Sequence, residues 1–166
     1  MADSQSGGGE NVFLVQCDAE NFERTVTTPV DLTDYDDRPE ALQSADEARL
    51  WGTSEGTRNA QNFERMAPGD LLLFYREETY VGVGRVDQTF EDEAGWVGET
   101  LWDGEPLPYV YTVTGFTPLS IDRAAVHRLF GYDASYSPGE LLRVAPDRVT
   151  ASLPAIELAV ERFDER

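Results

Sequence analysis

Lysine is absent from this sequence. All 13 basic residues are arginine, set against 32 acidic ones, which gives a formal net charge of −19 and a pI near 4.2. Cysteine and histidine are nearly absent too, Cys17 and His127 being single occurrences. A lone cysteine cannot close an intramolecular disulfide, and one Cys with one His cannot furnish the usual zinc ligand sets. No apolar run approaches the roughly 20 residues that span a bilayer. The N-terminal residues lack the basic and apolar segments of a secretory leader. The expectation is a cytoplasmic protein without membrane association, metal or cofactor. A phosphate loop is missing as well: Gly82-Val83-Gly84-Arg85 has no third glycine and follows no strand-to-helix pattern.

The acids that are present are scattered. Asp34, Asp36, Asp37, Asp46 and Glu47 lie in the first third, and Glu77, Glu78, Asp87, Glu91, Asp92 and Glu93 in the middle. An acidic interaction tail would be one block of like charge. Dispersed acids without lysine read instead as a halophile surface. In dilute buffer such a surface repels itself, whereas at about 1 M salt the screening length is only about 3 Å. The same charge argues against phosphate-driven nucleic-acid binding, which works through Lys and Arg. It does not argue against base recognition by stacking and base-edge hydrogen bonds.

With 166 residues, 40% of them hydrophobic, and three Trp, seven Tyr and eight Phe, the chain can bury a sizeable core. Residues 1–10, polar and Gly-rich, read as a flexible lead-in, and residues 11–166 as one domain. Residues 11–17 and 71–75 are short apolar runs expected as buried strands. Residues 71–75 and 80–86 form a hairpin after the Ala67-Pro68-Gly69-Asp70 turn, and Gly82 and Gly84 mark a close approach or a bulge. Residues 109–116 alternate as a strand, residues 50–52 and 141–144 are shorter strands, and residues 25–39 are irregular. Helices are expected over 40–48, 58–66, 92–102, 122–130 and 154–163. The sum is an α+β, barrel-like sheet of five to six strands with surrounding helices.

Nothing in the sequence isolates a catalytic pair. His127 lies mid-helix, and a Cys17–His127 nucleophile pair has no local support. Aromatic and amide residues beside turns stand out instead: Trp51, Asn59, Asn62, Phe74, Tyr75, Trp96, Trp102, Tyr109 and Tyr111. Aromatic faces stack on bases, and Asn side chains both donate and accept at base edges. Trp and Tyr are equally ordinary core residues.

Residues 50–86 resemble the EVE domain pattern. A Trp (Trp51) precedes an R-N-x-x-N helix (Arg58, Asn59, Asn62). Gly69-Asp70, an L-F-Y strand (Leu73-Phe74-Tyr75) and a V-G-V strand (Val81-Gly82-Val83) follow. The layout is also similar to YTH domains. Leu101-Trp102-Asp103-Gly104 with Pro108-Tyr109-Val110-Tyr111 resembles their tryptophan-bearing loop and next strand, and residues 12–18 their opening strand. Tyr75 and Arg76 depart from the YTH serine and suit the EVE pattern better.

The resemblance implies a PUA-like open barrel with an aromatic pocket for a modified, possibly methylated, base in DNA or RNA, in modification sensing or restriction. Trp51 and Trp102 would be its walls, Thr53 and Asn62 would lie near the base edge, and Cys17-Asp18 at the rim. Asn59, Phe74, Tyr75 and Tyr109 complete the candidate pocket, and Arg58, Arg76 and Arg85 are candidates for the nucleic-acid backbone. Any effector would be a separate chain. A small-molecule or partner-protein pocket on the same fold, and an RNA-processing enzyme, stand as alternatives.

Overall fold

Residues 10–164 are described by the computed structural model, so of the lead-in expected over residues 1–10 only Glu10 can be placed. Among the described residues seven strands form one sheet. They are β1 (Val12–Gln16), β2 (Val30–Asp31), β3 (Glu47–Thr53), β4 (Leu71–Arg76), β5 (Thr79–Glu91), β6 (Tyr109–Asp122) and β7 (Leu141–Arg143). Their spatial order is β2-β3-β6-β5-β4-β1-β7, so the sheet has two edges and does not close. The β1–β4 pair is parallel and every other pair antiparallel. Five α-helices accompany them: α1 (Ala19–Phe22), α2 (Thr57–Glu64), α3 (Trp96–Leu101), α4 (Arg123–Leu129) and α5 (Leu153–Phe163). Among the described residues no helix is long and apolar enough to cross a membrane.

The apolar runs of β1 and β4 are continuous because both strands are buried on both faces. Val12 and Leu14 join one core with Leu71, Leu73 and Tyr75, while Phe13 and Val15 join another with Leu72 and Phe74. The first of these cores is closed by α4 and α5, through Val126, Leu153, Ile156 and Val160. The second is closed by α1, α3 and the loop to β6, through Phe22, Val97, Leu101, Trp102 and Leu107. Strands β5 and β6, of 13 and 14 residues, are the longest in the sheet, and the register between them shifts three times. Tyr80 and Val83 therefore serve the first core, and Val86 the second. Gly82 is small because the Phe116 ring lies where a Cβ would stand.

Asp70 explains the strength of the turn before β4. Its buried carboxylate accepts backbone N–H bonds from Glu10, Asn11 and Ala67 at 2.8–3.1 Å, and another from the Asn11 amide at 3.1 Å. It thereby pins the start of β1 beside the start of β4. The β4–β5 hairpin expected from sequence is present, with a two-residue turn in which Glu77 and Glu78 take φ of 49° and 69°. That conformation ordinarily favours Asn or Gly.

Two helices differ from expectation. Residues 40–48 form only a turn, Glu40–Leu42, before β3 begins. The Arg38 guanidinium donates to the carbonyls of Leu32, Tyr35, Leu42 and Gln43, which satisfies that loop without a helix. Residues 92–102 yield the shorter α3, because the Asp92 carboxylate accepts from Trp96 and Val97 N–H and starts the helix there. Helix α1 falls where no element was expected, and the irregular stretch expected over residues 25–39 holds the end of a π-helical turn, Glu23–Thr27, and the short strand β2.

Candidate functional site

The C-terminal ends of β1 and β3 and the segment entering β7 meet around a cleft of about 330 Å³. Gln16, Cys17 and Asp18 form one side, Trp51, Gly52 and Ser54 the floor, Glu105, Pro106 and Leu107 the opposite wall, and Glu140 the end. Residue 52 can only be small. A Cβ there would stand 2.9 Å from the Leu107 carbonyl oxygen and 3.0 Å from the Trp102 ring. Glycine thus lets the 102–108 loop lie against β3 and form the wall. The loop is held from the other side by the buried Asn21, whose amide donates to Glu105 at 2.8 Å.

Glu140 organises the site, and nothing in the sequence had marked it. Its backbone carbonyl accepts from Gln16 N–H at 3.1 Å. Its carboxylate takes the Thr53 hydroxyl at 2.8 Å, the Ser54 N–H at 2.5 Å and the Ser54 hydroxyl at 2.7 Å. Burial pushes the Glu140 carboxyl up, but the bonds from Ser54 and Thr53, with the Asn59 amide nearby, overcome it and hold it below the ordinary carboxylate range. The result is a fixed negative charge at the end of the cleft. Glu140 is one acid among 32 and follows a Pro-Gly turn, so only the long-range contact to β3 distinguishes it.

The residues expected from sequence divide into two groups. Cys17, Asp18 and Trp51 line the cleft, and Thr53 and Asn59 stand behind it. The Cys17 thiol is pushed up to about 12, by burial first, so it is no nucleophile at neutral pH. Asp18 caps α1 by accepting from Asn21 N–H. The amides of Asn59 and Asn62 are engaged by the Ser54 and Leu141 carbonyls, so they brace α2 against the cleft and β7.

The remaining expected residues lie elsewhere. Trp102 does not face Trp51 across a gap: the rings touch edge to face, 5.8 Å apart and inclined at 66°, and leave no slot for a planar base between them. Trp102 is buried, and its indole N–H donates to Thr25, whose hydroxyl donates to the Leu50 carbonyl. Phe74 and Tyr75 project to opposite faces of β4, as neighbouring strand residues must, and so cannot share a pocket. Phe74 packs on Phe22, while Tyr75 donates to the Gly139 carbonyl at 2.6 Å. Tyr109 stacks on Phe63 and lines a neighbouring cleft of about 430 Å³ with Glu91, Asp92 and Glu93. Of the arginines, Arg85 is committed to Glu157 at 2.8 Å and to the Gly69 carbonyl, so it is a tether for α5. Arg58 is exposed on α2, and Arg76 borders a depression beside Cys17 and Asp18.

His127 lies with the other core, away from Cys17. Its Nδ1 bonds the Asp133 carbonyl at 3.1 Å and its Nε2 the Tyr80 hydroxyl at 2.9 Å. A carbonyl only accepts, so Nδ1 carries the proton and Nε2 accepts from Tyr80. The Cys17–His127 pair is not formed. Among the described residues no group of three or more His, Cys, Asp and Glu could hold a metal ion.

No family model matches this chain, and no curated protein matches it in sequence. Among solved structures it is similar to the N-terminal domain of Thermococcus gammatolerans McrB bound to m5C DNA. The TM-score is 0.67 and the identity 17%, over 89% of this chain and 98% of that one. A protein from Agrobacterium tumefaciens aligns over 90% of this chain and 92% of its own, at 14% identity and a TM-score of 0.44. At such identities the likeness is one of fold: an α+β, PUA-like fold with an open sheet, shared with the McrB domain.

Proposed function

We propose that this chain is a nucleic-acid-binding module that holds one modified base, extruded from its strand, in the cleft between Trp51 and Glu140. The observation that carries the reading is the composition of that cleft. An apolar floor and wall (Trp51, Pro106, Leu107) lead to a fixed carboxylate, in a volume at the lower end of the range for small-molecule sites. A base is such a ligand, with apolar faces and a hydrogen-bonding edge. The fold is shared with a domain bound to m5C DNA, which favours a methylated base in DNA as the first ligand to try.

In this reading Trp51 supplies one face, and Pro106 and Leu107 replace Trp102 as the opposing contact. Phosphates are repelled by a net charge of −19, so the base supplies the affinity, with Arg58 and Arg76 as the candidate backbone contacts. A buried methyl group adds about 0.8 kcal/mol, a severalfold preference over the plain base. Flipping a base from a duplex costs a few kcal/mol, so single-stranded or distorted sites bind better. Binding rather than catalysis is supported by the protonated Cys17 thiol and by His127 being engaged elsewhere.

Trp51 lies in the cleft, so its fluorescence is the direct readout. Titration at molar KCl with DNA oligonucleotides carrying one 5-methylcytosine or one cytosine, single- and double-stranded, and with RNA counterparts, tests the reading. Saturable quenching that is tighter for the methylated base is expected. Equal binding of modified and plain oligonucleotides, or none, would overturn it and favour a free small molecule or a partner protein as the occupant.

A further inference from the structure

The cleft of about 430 Å³ beside Tyr109 shares Pro106 and Leu107 with the base cleft, and the consecutive residues Ser54 and Glu55 line one cleft each. The two clefts therefore lie side by side, divided by Pro106 and Leu107. That ridge is held from both sides. Gly52 lets it lie against β3, and Gly98 lets α3 approach, since a Cβ at residue 98 would overlap the Glu105 carbonyl. A strand with one base seated in the first cleft brings its neighbouring nucleotides to the rim, and on one side that rim is the ridge.

Beyond the ridge stands an aromatic ring. Tyr109 is half-buried at the start of β6, in register with Thr53 of β3. Its ring stacks on Phe63 of α2, with centroids 5.1 Å apart and planes inclined at 28°. Phe63 backs the ring from outside the cleft, which Tyr109 lines. A ring supported in this way is a fixed platform. Of the acids around it, Asp92 is committed to starting α3, while Glu55, Glu91 and Glu93 are exposed. Their charge repels phosphate, so a base and not the backbone is what this cleft admits.

We infer that the second cleft holds the base of a nucleotide next to the modified one, stacked on Tyr109, so that the ligand is a step of two unpaired nucleotides. Every base has a π-face, so stacking on an aromatic ring adds affinity with little sequence preference. It favours single strands instead. A base stacked on Tyr109 cannot also be paired, so a duplex that extrudes only the modified base forgoes the contact. The inference rests on the base-binding reading above and names its ligand more closely.

The test uses single-stranded DNA carrying one 5-methylcytosine, and two further strands in which the nucleotide on its 5′ or its 3′ side is abasic. Wild type should bind one abasic strand about tenfold more weakly than the intact strand, and the other about equally. Tyr109→Leu keeps an apolar contact on Phe63 but removes the ring. It should bind the intact strand about tenfold more weakly, with no further loss on the sensitive abasic strand. Its affinity for 5-methyldeoxycytidine monophosphate should match that of wild type, and Tyr109→Phe, which keeps a stacking face, should match wild type on every ligand. Wild type indifferent to both abasic sites, or Tyr109→Leu still sensitive to one, overturns the assignment and leaves the base-binding reading intact. Loss of the mononucleotide by Tyr109→Leu overturns it too, since Tyr109 would then be a support of the first cleft. Failure of wild type to bind the intact strand removes both readings.

Discussion

Replacing Trp102 by phenylalanine separates the arrangement of the two tryptophans found here from a clasp in which both are walls. Trp102 is 1% exposed, with its indole N–H 3.0 Å from the Thr25 hydroxyl oxygen. Phenylalanine removes two ring carbons from the core, at about 0.8 kcal/mol each. It also removes one neutral hydrogen bond, worth about 1 kcal/mol. Thr25 keeps its own donation to Leu50, at 2.6 Å, so no donor is orphaned. The sum is about 2–3 kcal/mol. For a chain of 166 residues each kcal/mol lowers the melting temperature by about 2–4 °C, so the expected fall is about 5–10 °C. Because the cleft is built from Trp51, Leu107 and Glu140, affinity for the 5-methylcytosine strand should stay within about twofold, well under the change that one lost hydrogen bond brings. Thermal melts and fluorescence titrations at the same molar KCl concentration measure both quantities. A variant that melts like wild type but no longer binds would refute this reasoning and restore Trp102 as a pocket wall.

Gly52→Ala should lower both stability and affinity, since its Cβ would meet the Leu107 carbonyl at 2.9 Å and push the cleft wall away; melts and the same titration report each effect. His127 is held below its ordinary value of 6.5, chiefly by burial. The unfolded chain therefore binds more protons than the folded one, and this contribution to stability is lost as pH falls through 6.5 toward the lower native value. Urea denaturation from pH 7.5 to 5 should show that loss in wild type and not in His127→Gln; identical pH profiles would contradict it. The dispersed charge of −19 predicts a melting temperature that climbs from about 0.1 to about 2 M KCl, and a flat profile would sink the halophile reading.

Local pattern in the sequence was enough for most of the elements. The apolar runs of β1 and β4, the alternation at the start of β6, the terminal helix over residues 154–163, and the turn ending at Asp70 are all near-neighbour signals, and each appears within a few residues of where it was expected. The α+β, open-sheet class follows from them. Tertiary contact decided everything that depends on which face a residue occupies and what lies opposite. Phe74 and Tyr75 are adjacent in sequence and serve separate cores, because a strand alternates its side chains. Trp102 is a core residue because Gly52 lets it approach and Thr25 accepts its N–H. Arg38 unmakes an expected helix by reaching four carbonyls. Glu140 was beyond reach of any local reading, and so was the burial of Tyr111, which stood out only as an aromatic. One meets Ser54 from 86 residues away. The other has an enclosed hydroxyl without a hydrogen-bond partner among the described residues, which only the packing of distant segments around it produces.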